Sequence, residues 1–224
     1  MNGKLIVIEG LDGSGKSTQL EALSERVSVG TDETVRIKLP DYESESSALV
    51  RMYLAGDFGK EPQDVNAYAA SAFYAVDRVA NFKTVWKKNY ENGALILADR
   101  YTASNAYHQM QKLTREEWDG FLEWLEDFEY VKLGIPKPDA VIFLDMPIDV
   151  SQKLMTKRYS GDESKKDIHE ANVEYLKSCR ECALYAADKL GWKVIPCSDG
   201  ENPLSIEEIS EKVYEAVKGE FENA

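Results

Sequence analysis

The stretch KLIVIEGLDGSGKST, Lys4 to Thr18, decides the fold. Leu5 to Ile8 form the short apolar run of a buried strand, and GLDGSGKS, Gly10 to Ser17, then matches the pattern GxxxxGK[ST] in a strand, loop, helix context. Glycines at 10, 13 and 15 permit backbone angles that turn successive amides inward, making a nest for phosphate oxygens at the start of a helix beginning near Lys16. Gly10, Asp12, Gly13, Ser14, Gly15, Lys16, Ser17 and Thr18 are therefore the expected phosphate-binding set for ATP. Lys16 is expected to reach the β- and γ-phosphates, and the Ser17 hydroxyl to ligate the Mg2+ that bridges them.

Outward from this loop, short β-branched or apolar runs alternate with longer helical patterns, the signature of βαβ units. Strands are expected at Lys4 to Glu9, Thr34 to Leu39, Ala94 to Ala98, Ala140 to Asp145 and Lys193 to Pro196. Their near-continuous hydrophobicity fits an α/β fold with a five-stranded parallel sheet and helices on both faces. Thr114 with Glu117, and Ser205 with Glu208, fit capping boxes at two helix starts, and Gly93 and Gly191 mark ends. The polar run SGDESKKD, Ser160 to Asp167, reads as a surface loop within a short lid at about 156–170. All 224 residues are expected to form one domain.

Composition excludes several functions. With 27 Lys and Arg against 40 Asp and Glu, the formal charge is −13, which repels a nucleic-acid polymer. A small nucleotide can bind only where local cations gather. The first apolar run is too short for a signal segment or a membrane span, so the expected setting is the cytoplasm, without membrane attachment. The three cysteines make no disulfide framework, and Cys179 and Cys182, one helical turn apart, lack the second pair that a zinc site needs.

No NKxD segment is present to read guanine; a small chain with one phosphate loop and a charged insertion suits a nucleotide kinase of P-loop architecture with a closing lid. The third strand runs into LADRY, which puts Asp99 and Arg100 at the carboxyl edge of the sheet, where open α/β folds bind ligands. LADRYTASNAYHQ resembles the DR(Y/H) block of thymidylate kinases, and AFYAVDR, Ala72 to Arg78, resembles their thymidine-binding helix. IEGLDGSGKSTQ, LPDY at Leu39 to Tyr42 and LGIPKPD at Leu133 to Asp139 extend the resemblance over nearly the whole chain.

That resemblance implies transfer of the γ-phosphoryl of ATP to dTMP, and a homodimer. It implies a dTMP-binding set of Asp12 on the sugar 3′-hydroxyl, Tyr74 stacked on thymine, Arg78 and Asn105 on the base edge, Leu54 in the base pocket, and Tyr42 and Arg100 on the acceptor phosphate. Ser17 and Asp99 would organise Mg2+ or its waters. The chain departs from the family at His108, commonly Tyr or Phe and expected near the sugar 2′ position. The same architecture can serve another nucleoside monophosphate or a deoxynucleoside, or bind ATP without turnover.

The chemistry needs cations more than a base, because an acceptor phosphate is already anionic near neutral pH. At about 4 Å and an effective dielectric of about 20, each unit-charge pair repels by roughly 4 kcal/mol. Lys16, Arg100 and Mg2+ offset most of that. Some thymidylate kinases carry Arg directly after the acidic loop residue, where this chain has Gly13, so further charge is expected from Lys157, Arg158, Lys165 or Lys166, with Arg158 as the catalytic lid cation.

Overall fold

In the computed structural model of the protein, residues 2–27, 34–158 and 172–221 are described. Five strands, β1 (Lys4–Gly10), β2 (Thr34–Lys38), β3 (Leu95–Asp99), β4 (Ala140–Asp145) and β5 (Lys193–Pro196), form one parallel sheet in the order β2-β3-β1-β4-β5. The expected strands are all present, with ends shifted by at most a residue. β2 closes at Lys38 because Leu39 runs into Pro40, which has no N–H to give to a ladder.

Strand alternation explains the layers. Ile6 and Ile8 of β1 pack with Leu20 and Leu23 of helix α1 (Lys16–Val27) and with Val213 and Val217 of the last described helix (Ile206–Phe221). Leu5 and Val7 point the other way, toward Phe82 and Trp86. The other α-helices among the described residues are α2 (Ala48–Leu54), α3 (Ala67–Asn81), α4 (Lys87–Glu91), α5 (Thr102–Met110), α6 (Trp118–Glu126), α7 (Ile148–Arg158) and α8 (Val173–Leu190), so the last one is α9. Both capping boxes form: Glu117 accepts from Thr114 N at 2.8 Å, and Ser205 and Glu208 exchange bonds of 2.9 and 3.1 Å.

Five- and six-residue π-helical stretches, Phe82–Trp86 and Asp127–Lys132, follow α3 and α6. β1 feeds α1 on one face, while β3 feeds α5, whose Ala106 and Tyr107 pack with Phe143 on the other. Because neighbouring strands send their helices to opposite faces, their carboxyl ends open a crevice. The register sets Ile8 beside Asp99 at its lip.

Candidate active site

The phosphate loop leaves β1 at Gly10 and enters α1 at Lys16. Gly13 has φ +78°, and a Cβ there would lie 2.8 Å from Ser151 O and 3.0 Å from Met155 Cγ, so α7 packs directly on this loop. Ser14 is buried beneath it, and Thr18 lines the crevice beside Ser17. Lys16 is buried and donates to Leu11 O at 3.0 Å, with Asp12 3.7 Å away. Burial, then the nearby Arg100 charge, lowers its pKa to about 8. The Ser17 hydroxyl donates to Asp99 Oδ2 at 2.6 Å, which brings two hard oxygen donors together as a divalent cation requires.

Arg100 turns out of β3 at φ +70°, a conformation that a side chain disfavours, and its N–H is tied to Ile8 O at 3.1 Å. Glu9 braces this corner. Its carboxylate accepts from Tyr101 N (2.7 Å), Ser104 N (3.1 Å), Ser104 Oγ (2.6 Å) and Tyr107 OH (2.8 Å), at the positive end of α5. Burial raises the Glu9 pKa, against the pull of Arg100 and these hydrogen bonds. The Arg100 guanidinium is paired with Asp12 and reaches Tyr107 OH at 3.2 Å and His108 Nε2 at 3.5 Å. Burial disfavours its charge, but Asp12, Tyr107 and Glu9 more than offset this.

A cavity of about 580 Å³ joins the two halves. Asp12, Lys16, Ser17, Asp99 and Arg100 line it together with Tyr42, Leu54, Tyr74, Arg78 and Asn105, so every residue expected on the acceptor borders one space. Tyr42 is exposed at its mouth. The Tyr74 ring meets Tyr53 edge-on at 6.4 Å, which supports its orientation. Arg78 is more enclosed than a helix-surface arginine: its guanidinium is gripped by Glu129 and also donates to Tyr101 O at 3.3 Å. Glu129 offsets the burial that opposes the Arg78 charge and raises its pKa. Asn105 uses Nδ2 twice, to Ser71 O and Glu129 Oε1, both at 3.1 Å, which leaves Oδ1 as the atom it can offer a ligand.

Glu9, Glu129 and Gln109 also belong to this site or its support, and sequence reasoning did not single them out. An acidic residue inside the apolar run IVIEG was the available signal for Glu9; Glu129 left none. The Arg158 side chain and the segment 159–171, with Lys165 and Lys166, lie outside the described residues, as does the Lys157 side chain.

A phosphate loop sharing one crevice between β1 and β3 with a buried arginine, Arg100, fits a nucleoside monophosphate kinase of the P-loop class. A family model described as thymidylate kinase matches residues 8–213, and the chain belongs to the thymidylate kinase family. Among curated relatives, a thymidylate kinase of Mycobacterium tuberculosis is 28% identical over 186 residues, covering 81% of this chain and 84% of that one. A probable thymidylate kinase of Thermococcus onnurineus is 30% identical over 188 residues, 82% of this chain and 84% of its own. The solved structure of thymidylate kinase from Candida albicans superposes with a TM-score of 0.70 at 21% identity, covering 98% of this chain and 92% of that one, which bears on the fold.

Proposed function

We propose that the protein transfers the γ-phosphoryl of ATP to dTMP, giving dTDP and ADP. The observation that carries this reading is the single cavity lined both by Lys16, Ser17, Asp99 and Arg100 and by Tyr74, Arg78 and Asn105. The loop amides and Lys16 hold the donor phosphates, and Arg100 holds the acceptor phosphate in line. Asp12 lies between Arg100 and Lys16, where it can orient both cations and meet the sugar hydroxyl. Ser17 and Asp99 would hold Mg2+, which supplies charge neutralisation on the β- and γ-phosphates. Arg158 as the lid cation, and one catalytic domain with a lid at 156–170, rest on the sequence alone.

On the base side, Tyr74 supplies a face and Asn105 Oδ1 an acceptor for a ring N–H. Thymine and uracil have N3–H; cytosine does not, so the site should order its acceptors dTMP, dUMP, dCMP, then the purines. One methyl in an apolar pocket separates the first two by only about 1–3 kcal/mol. Leu49, Met52 and Val76 are exposed apolar residues on α2 and α3, and support a homodimer through this face. Three buried free thiols support a reducing, cytoplasmic setting. The described residues contain no helix long and apolar enough to cross a membrane. The test is kcat/KM for five deoxynucleoside monophosphates at fixed MgATP, by coupled ADP release; a preference for dGMP or dAMP would sink the reading.

A further inference from the structure

Lys112 directly follows the end of α5 and is half-buried. Among the described residues no carboxylate pairs with it. Its ammonium instead donates to Tyr53 OH at 3.0 Å and to Val65 O at 2.8 Å, and lies 5.1 Å from the centroid of the Tyr53 ring. Burial lowers its pKa to about 8, because a phenol and a carbonyl do not make up for lost water as an acid would. Methionine would fill similar space without that cost, so packing alone gives no reason for a lysine here.

The two acceptors show what the ammonium joins. Tyr53 lies in α2 next to Leu54, and Val65 precedes Asn66, the N-cap of α3. Lys112 itself continues the chain from α5, which carries Asn105. The three elements that place Leu54, Tyr74 and Asn105 on the cavity wall are therefore tied together through one Nζ. A lysine suits such a junction because it has three donors and no acceptor, and both groups it meets can accept. Tyr53, only 1% exposed, passes the restraint on. Its hydroxyl donates to Pro62 O at 3.3 Å, and its ring stands perpendicular to that of Tyr74, with centroids 6.4 Å apart. We propose that Lys112 is a positioning residue for the acceptor base: it pins Tyr53 to the segment entering α3 and so fixes the Tyr74 ring on which the base stacks. The proposal rests on the substrate reading above and deepens it.

The test uses the full-length enzyme. Lys112→Met should raise KM for dTMP about fivefold or more, with kcat and the KM for ATP within about twofold of wild type. Tyr53→Phe keeps the ring and removes the oxygen that accepts from Lys112; it should raise the same KM, and it decides the matter if the methionine variant does not fold. The double variant should lie within about twofold of the worse single one, because both changes cut one link. In a Tyr74→Ala background, adding either change should move kcat/KM for dTMP by less than about twofold, since the ring they orient is gone. A lysine that only supports the fold would, when replaced, lower the melting temperature and leave KM for dTMP alone, and that result overturns the proposal. Full additivity of the two changes, or an increment that persists undiminished in Tyr74→Ala, overturns it as well. Failure of the wild type to use dTMP would remove the substrate reading itself. A wild type active on dTMP with an unmoved KM in either folded variant would remove Lys112 alone.

Discussion

Glu129 holds the Arg78 guanidinium by two hydrogen bonds, 2.6 Å to Nε and 2.5 Å to NH2, and the exposures of the two side chains are only 0% and 3%. Removing one member of a buried pair strands the other charge, which costs about 3–5 kcal/mol. Glu129→Ala should therefore lower unfolding free energy by about that amount, and more than Glu129→Gln, which keeps an acceptor in place. Urea unfolding of the two variants checks this; equal and small losses would mean that water reaches Arg78.

Lys16→Ala should leave the fold intact and reduce kcat to less than about a tenth of wild type, a loss above roughly 1.4 kcal/mol. The ammonium interacts most with charge that develops on the transferring group. Circular dichroism and single-turnover rates measure the two halves of the prediction separately.

The depressed Lys16 pKa, about 8, has two consequences of definite sign. Between about 8 and the ordinary lysine value of 10.5, the folded protein binds fewer protons here than the unfolded chain, so this group makes stability rise with pH across that window. Activity moves oppositely, because the charged form binds phosphate. The kcat/KM for ATP should fall above about pH 8, while the limb in kcat lies at higher pH, since bound phosphates raise the pKa again. Coincident limbs in the two profiles would count against Lys16 as the titrating group.

Glu9→Gln should raise KM for dTMP by about tenfold with a much smaller change in KM for ATP. The carboxylate accepts from two backbone amides and two hydroxyls at the Arg100 corner, and an amide would turn an NH2 group toward some of those donors. Steady-state kinetics with each substrate varied in turn separates this from a general loss of folding, which would lower active-enzyme content and leave both KM values alone.

Much of the fold was legible because strands buried on both faces leave uninterrupted apolar runs, and β1 and β4 were delimited almost to the residue. The phosphate loop was legible for a similar reason, since its glycines and Lys16 are contiguous. Glu129 was not. It sits in the π-helical stretch Asp127–Lys132, where the turn is wider than 3.6 residues, so helical periodicity misassigns which side chains face inward. Arg78 and Tyr74 were expected around one base and do border one cavity, but the burial of Arg78 depended on that distant carboxylate. Gln109 reads as an ordinary polar position until the helices around it are in place.

The contact between Gly13 and the Ser151 carbonyl constrains how this loop can change by mutation. An arginine at position 13, as some family members carry, would have to enter a space filled by α7 backbone and Met155. Position 13 is thus epistatic with 151 and 155. A single substitution toward a loop arginine produces an obstructed intermediate, whereas a prior shift of α7 makes the same substitution permissible, so the order of the two events decides whether the path is open.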